Sequence, residues 1–371
     1  MDAYKKCRVV LGQGGCSSVQ LCRSSYEYVA VKKTRTDGAP HLKRHAEMER
    51  TVLEHILSPH RNVVALRESF VAKENVYLIL EFLPSDLRRY ITPGGMRERE
   101  ALAFLHDILS AVDHMHKHNL MHRDIKPSNV LLGPDTERGA VAKLSDFGLS
   151  MIYKEGMPAS GVAGTAGYQP PEMHFGLTTT LSVHHVDIWG CGCLLGEMLA
   201  GRRIFERDTV MGSLRTVFEM LGRPTAESWP GLSNSALYLQ PLVSYDAFPI
   251  EAPPLHKSLQ IPEGAISAAT ADLMRRMLAL DPEARITASE ALAHRAFTDN
   301  PVWTCLLRPP LPTSIVQNAI SRDSATRKGL SASKVNVVHY TPPPCFGLYE
   351  TPPRRLFSPH GPQGQVEPPG S

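Results

Sequence analysis

The run His122-Arg123-Asp124-Ile125-Lys126-Pro127-Ser128-Asn129 sets an acid, a cation and an amide within a few positions of one another. An aspartate so placed can accept or orient the proton of an attacking hydroxyl. Lys126 can offset charge building on a phosphoryl group, and Asn129 can reach a divalent cation. Seventeen residues beyond Asn129 stands Asp146-Phe147-Gly148. Its carboxylate is the hard oxygen donor that magnesium favours. Gly148 permits a turn, and Phe147 is expected to pack and set the position of the aspartate. Together these residue types suit phosphoryl transfer to a hydroxyl.

Such chemistry needs a place for phosphates. The string Gly12-Gln13-Gly14-Gly15-Cys16-Ser17-Ser18-Val19 lies between two apolar runs, where glycines let backbone N–H groups approach phosphate closely. Taken alone it is no more than a glycine turn. Thirteen residues past Val19 comes Lys32, at the end of Val29-Ala30-Val31. By itself Lys32 reads equally as an edge-strand lysine facing water. Paired with the glycine loop it is placed to neutralise phosphate. A carboxylate must then hold it, and the following helix offers Glu47 and Glu49. Glu49 is favoured by the apolar residues three and four positions on, Val52 and Leu53; Glu47 stays open.

The elements that must position these groups divide the chain. Val9-Val10-Leu11, Val19-Gln20-Leu21, Tyr28 to Val31 and Val76 to Phe82 read as strands, the first three antiparallel. Residues 41–57 read as a helix. From about 84 the apolar residues recur at three and four, over 98–118, 183–200, 209–221 and 267–278. The expected fold class is α+β, a small β-rich lobe over residues 4–83 and a larger helical lobe over 84–298. Thirteen of the 30 prolines fall in residues 301–371. Residues 299–371 are therefore expected to be an extended or disordered tail.

In joint order and spacing these strings resemble the signature set of eukaryotic protein kinases: glycine loop, strand lysine, catalytic loop and Asp-Phe-Gly. Pro170-Pro171-Glu172 is similar to the family's Ala-Pro-Glu, Arg285 to the buried arginine that pairs with that glutamate, and Asp187-Ile188-Trp189 to a conserved helix start. The resemblance covers residues 4 to about 298. It implies a bilobal kinase fold binding ATP and Mg²⁺ between the lobes and acting on protein substrates. Lys126 beside Asp124 is the serine/threonine form. Asn129 and Asp146 would hold metal, and Thr165 would bond near Asp124 and Lys126. Leu80-Glu81-Phe82-Leu83-Pro84-Ser85-Asp86-Leu87 resembles the hinge of cyclin-dependent kinases. That likeness implies Leu80 behind the adenine, Glu81 and Leu83 bonding it through backbone groups, Asp86 toward the ribose, and Val19, Ala30 and Leu131 around the ring. The loop residues Gly12, Gln13, Gly14, Gly15, Cys16 and Ser17 would cover the phosphates. Leu221-Gly222-Arg223-Pro224 and Trp229-Pro230-Gly231-Leu232 resemble the insert of cyclin-dependent and mitogen-activated kinases.

The chain departs from that branch in places. Gly15 and Cys16 stand where the branch carries an inhibitory threonine-tyrosine pair. Ser160 stands where its activating phosphothreonine would be. Met48 and Met151 replace two of the three arginines that would receive that phosphate, leaving Arg123. Activity is therefore expected to depend weakly on Ser160. Gly164-Thr165-Ala166-Gly167-Tyr168-Gln169 lacks the branch's arginine at 169, which leaves proline-directed specificity open. A kinase of another group, or a scaffold without activity, are the alternatives; the presence of Lys32, Asp124, Asn129 and Asp146 speaks against a scaffold.

Composition narrows the rest. The formal charge is +3 and the pI near 8.4, too mild to argue for nucleic acid. No apolar run reaches the ~18 residues of a membrane span. Seven cysteines form no disulfide or zinc framework, so reduced thiols in the cytoplasm or nucleus are expected, with Cys191 and Cys193 a buried pair rather than a metal site. A cyclin or other activating protein is a candidate partner, although His41-Leu42-Lys43-Arg44-His45 does not match the family's cyclin-contact string. Arg354-Arg355-Leu356-Phe357 resembles a cyclin-docking motif, and Arg308-Pro309-Pro310-Leu311-Pro312 an SH3 ligand. Thr341, Thr351 and Ser358 each precede proline.

Overall fold

The computed structural model describes residues 4–37, 40–57, 59–135, 139–153, 163–177, 184–205, 209–235, 238 and 248–299. Ser160 and the proline-rich segment from residue 300 on, with its docking-like strings, lie outside them.

Alternating side chains build the first layer. Strands β1 (Lys5–Gln13), β2 (Ser17–Arg23) and β3 (Tyr28–Arg35) form an antiparallel meander. Helix α1 (Pro40–Thr51) follows, then β4 (Leu66–Ala72) and β5 (Asn75–Glu81). The sheet order is β1-β2-β3-β5-β4. Its register sets the site: Val19 lies opposite Lys32, and Ala30 opposite Leu80. The helix expected over 41–57 is interrupted. After Thr51 the chain widens into a π-turn over Val52–Ile56, closed by the Leu57 N–H on the Val52 carbonyl at 3.0 Å. The extra residue in the turn lets Val52, Leu53 and Leu57 all be buried.

The second lobe begins with β6 (Ser85–Asp86) and the short helix α2 (Leu87–Tyr90), capped by Asp86. Helix α3 (Glu98–Lys117) buries Leu102, Leu105, Ile108, Leu109 and Val112. Strands β7 (Leu120–Met121), β8 (Val130–Asp135), β9 (Gly139–Leu144) and β10 (Met151–Ile152) come next. They make two small sheets, β6-β8-β9 and β10-β7. The remaining helices are α4 (Pro171–Phe175), α5 (His185–Ala200), α6 (Val210–Leu221), α7 (Leu255–Leu259), α8 (Ala268–Met277), α9 (Ala288–Leu292) and α10 (Arg295–Thr298). Helix α5 is the axis of this lobe, with Ile188, Trp189, Cys191, Leu194, Leu195 and Met198 buried. The Cys191 and Cys193 side chains are both in this core. A Cβ at Gly192 would stand 2.7 Å from Leu278, so glycine is what lets α5 and the end of α8 approach. One buried apolar cluster runs from Ala30, Val64 and Leu80 through α3 and α5 to Phe297. The fold is α+β and bilobal.

Candidate active site

Strand β3, helix α1 and the turn after β9 meet at Lys32. Its Nζ donates to Glu49 Oε1 at 2.7 Å and to Asp146 Oδ1 at 2.8 Å. Glu47 is exposed and stands 3.9 Å from Lys43, so the choice left open falls to Glu49. Residues two apart on a helix differ by about 200° of rotation, which puts Glu47 on the far face. Burial alone would lower the Lys32 pKa; the carboxylates of Asp146 and Glu49 outweigh it and keep the amine charged. Burial pushes Glu49 up, against the pull of Lys32. Desolvation would raise Asp146 too, but Lys32 overcomes it and holds the carboxyl at about 2. Asp146 has φ +66° and its side chain keeps 38% exposure, so it is both fixed and accessible. Phe147 beside it is buried against His122, ring centroids 5.2 Å apart.

The catalytic loop is a closed network around Asp124. Thr165 Oγ1 donates to Asp124 Oδ1 at 2.6 Å, Lys126 Nζ to Oδ2 at 2.7 Å, and Lys126 Nζ also to Thr165 Oγ1 at 2.7 Å. Asn129 Nδ2 donates to the Asp124 carbonyl at 2.9 Å and to Oδ2 at 3.0 Å. That fixes the amide orientation and keeps Asn129 Oδ1 out of these bonds as a remaining acceptor. Gly164 sits at φ +93°, and a Cβ there would be 2.3 Å from the Arg123 carbonyl, so the approach of Thr165 to the loop requires glycine.

Buried ionic groups hold the loop from below. Asp187 accepts the backbone N–H groups of His122 and Arg123 at 2.9 and 2.8 Å, and His116 Nε2 lies 3.0 Å from it. Arg123, at φ +65°, donates through Nε to the Leu149 carbonyl at 2.8 Å. Met48 packs against the core, and Met151 pairs with Met121 in the β10-β7 sheet. Arg285 grips Glu172 with two bonds of 2.8 and 3.0 Å, both side chains fully buried.

Above this floor lie the residues assigned to nucleotide. Gly12 and Gln13 pair with Val19 and Ser18, and the Gly14 N–H donates to the Ser17 carbonyl at 2.7 Å. A Cβ on Gly15 would meet nothing within 4 Å, and the Cys16 carbonyl accepts the Arg35 N–H at 2.9 Å. Val19, Leu83 and Leu131 pack against the cluster that contains Ala30 and Leu80. Leu131 is opposite Asp86 in the β6-β8 ladder. Asp86 already caps α2, accepting the Arg89 N–H at 3.0 Å, and burial raises its pKa. The Glu81 side chain accepts from Lys143 Nζ and the Ala65 N–H at 2.7 Å each.

Several contacts here are announced by no motif. Lys143 and Ser145 precede Asp146, and Ser145 Oγ donates to the Asn129 carbonyl at 3.0 Å. Asp107 on α3 accepts the Ala142 N–H at 2.9 Å, and Asn62 donates to the Ala142 carbonyl at 3.0 Å. Gln169 Nε2 donates to the carbonyls of Ala163 and Gly164 at 3.3 and 3.2 Å. Tyr168 Oη donates to Glu197. The string from Gly164 to Gln169 marks both positions in the sequence but does not disclose these contacts.

A two-lobed fold with a lysine–glutamate pair, an Asp-Phe-Gly turn and an aspartate–lysine–asparagine loop defines a protein kinase. Residues 5–297 match the protein kinase domain, and the chain belongs to that family. It is similar to "Cyclin-dependent kinase D-1" of Arabidopsis thaliana, 32% identical over 334 residues, covering 87% of this chain and 78% of that protein. The activity is that of an ATP-dependent serine/threonine protein kinase of the cyclin-dependent-kinase-like type. No described helix is long and apolar enough to cross a membrane.

Proposed function

We propose that the chain transfers the γ-phosphate of ATP to serine or threonine hydroxyls of proteins, with Asp124 as the group that receives and orients the substrate hydroxyl. The contact that carries this reading is the Asp124–Thr165–Lys126 triangle, in which Thr165 and Lys126 bond each other and each donates to the Asp124 carboxylate, with Asn129 as the third donor to it. Lys32 is held charged by Glu49 and Asp146 for the α- and β-phosphates. Lys126 offsets charge on the transferred group. Asp146 and Asn129 Oδ1 are hard oxygen donors and fit Mg²⁺, which when bound neutralises phosphate charge. The glycine loop from Gly12 to Ser17 covers the phosphates, and Val19, Ala30, Leu80, Leu83 and Leu131 enclose the base beside Glu81 and Asp86. Kinase residues 4–298 carry the activity, and the chain works in the cytoplasm or nucleus, where thiols such as Cys16 stay reduced.

The Lys32–Glu49 bond of 2.7 Å is already made by the chain alone. A cyclin or other activator, suggested by the name of the Arabidopsis relative, would then raise a basal activity rather than create one. The test is radiolabelled phosphate transfer by the purified full-length protein on a degenerate peptide array without a partner, beside Asp146→Asn. Transfer is expected only with Asp146 intact. Binding of ATP–Mg²⁺ without transfer would sink the proposal of partner-free activity.

Gln169 favours proline after the target. Its amide occupies the Ala163 and Gly164 carbonyls, next to the residue that bonds Asp124. A peptide N–H arriving there meets carbonyls that already accept one bond each and gains less from them, so a residue without an N–H gives up less. The same array should show proline preferred after the target, and Gln169→Ala should weaken that preference. Equal rates for alanine and proline peptides would reject the reading.

A further inference from the structure

A cavity of about 350 Å³ lies where residues 81–83 pass from the first lobe to the second. Its apolar lining is Tyr28 and Phe82, ring centroids 6.4 Å apart, with Leu83, Pro134 and Val141. All but Val141 are exposed or half-buried. Three ion pairs stand around it. Arg67 forks onto Glu27 at 3.0 and 3.1 Å, Lys143 bonds Glu81 at 2.7 Å, and Arg61 bonds Asp135. The lining is therefore charge-balanced. The fork from Arg67 uses Nε and one Nη, and Arg61 gives one Nη to Asp135, so the second Nη of each still has hydrogens to donate.

The described residues end close to this place. Helix α10 ends at Thr298 against α3, where Phe297 meets His106 with ring centroids 5.4 Å apart. From His106 to His114 is about 12 Å along α3. There His114 stacks on His60 at 4.5 Å, and the next residue, Arg61, lines the cavity. Residues 300–371 follow Asp299. The stretch from Asp299 to Arg308 can span about 30 Å when extended. Arg308-Pro309-Pro310-Leu311-Pro312 is thus the first proline run within reach, and closing the loop costs least for it.

We propose that residues 308–312 of this chain dock in the cavity, with Leu311 and the prolines on Tyr28 and Phe82. Proline-rich segments form an extended left-handed helix without internal hydrogen bonds, and aromatic-lined grooves take them. The donors match as well. Pro309, Pro310 and Pro312 lack an N–H, so the segment offers five carbonyls against two N–H groups. Such an occupant suits a rim whose carboxylates are already paired and whose guanidinium groups still have hydrogens to give. Shape and donors carry the fit, so the balanced charge of the lining does not oppose it. The Arg308 side chain, at the end of the segment, keeps its charge in water. Tyr28 and Arg67 belong to the first lobe, Pro134 and Val141 to the second. The docked segment therefore braces the two lobes where they join.

The experiment places a photo-crosslinking phenylalanine analogue at Leu311 of the full-length protein and, as a control, at Gln365. Irradiation should join position 311, within one chain, to residues 27–28, 82–83, 134–135 or 141; the control should not give these products. Hydrogen exchange is an independent readout. At a local concentration of about 1 mM and a Kd of about 0.1 mM, docking slows exchange at the Glu27, Tyr28 and Asp135 amides about tenfold. Combining Pro309→Gly, Pro310→Gly and Leu311→Gly, all outside residues 4–298, should abolish that slowing. Arg67→Ala, at an exposed position, should reduce it. Crosslinks absent from the cavity, no more frequent there from 311 than from 365, or formed between two chains would overturn the proposal. So would equal exchange in the parent and the glycine variant.

Discussion

Lys143 Nζ and Glu81 Oε1 lie 2.7 Å apart and join the end of β5 to the strand that leads into Asp146. Glu81 is also held by the Ala65 N–H at 2.7 Å, and Asn62 bonds the Ala142 carbonyl at 3.0 Å. Hinge, post-helix loop and β9 therefore form one hydrogen-bonded unit. Lys143→Met would leave a largely buried carboxylate with one donor fewer. It should cost about 1–3 kcal/mol in denaturant unfolding. Adding Glu81→Gln should recover part of that loss, and strict additivity of the two would show that the pair is not coupled.

The two glutamates of α1 separate cleanly by experiment. Glu49→Gln removes the buried partner of Lys32 and should lower kcat/KM by roughly 10²-fold. Glu47→Gln touches only an exposed contact at 3.9 Å to Lys43 and should stay within about twofold. Equal losses in peptide phosphorylation would mean that the pairing at Lys32 does not govern the reaction.

What the sequence disclosed follows from how far apart the partners are. Asp124, Lys126 and Asn129 lie in one turn of chain, so their spacing already confines them to one site. The long helices α3, α5 and α8 each carry a continuous apolar pattern and are legible for that reason. Strand β4 is not: its side chains are mostly exposed or half-exposed at the sheet edge, so no alternation marks it. Strand β8 runs through Gly133-Pro134-Asp135, which reads as a turn until β9 pairs with it. Glu49 needed the helix phase relative to Lys32. Lys143 and Asp107 act through partners brought near only by tertiary folding, and no local string announces them. Activation through Ser160 lies outside the described residues.

Arg285 and Glu172 should be among the most sensitive positions for stability. Both are fully buried and joined by a two-bond fork. Arg285→Ala leaves an unpaired buried carboxylate and should cost about 3–5 kcal/mol. Arg285→Lys should not rescue it, because an ammonium cannot make both bonds and the contacts to the Ala279 and His185 carbonyls. Chemical denaturation of the three proteins checks this; a lysine variant as stable as the parent would show that charge, not fork geometry, is what the site needs.

Two histidines predict how the fold responds to acid. His174 has neither ring nitrogen hydrogen-bonded, and His185 Nδ1 is unpartnered. Burial pushes both down from 6.5 to about 4, with Arg285 adding to the effect at His185. A histidine whose folded pKa is depressed binds its proton more readily when unfolded. Between about pH 6.5 and 4 the unfolded chain therefore carries more protons, and stability falls as pH falls. Above that window both states are neutral and the contribution is complete; below it both are charged and the slope ends. Two such groups give a limiting slope of about 2.7 kcal/mol per pH unit in mid-window. His174→Leu, which suits an apolar setting, should remove about half of that slope while leaving stability at pH 8 little changed. Unfolding free energies measured across the window decide it, and a slope unaltered by His174→Leu would place the acid sensitivity elsewhere.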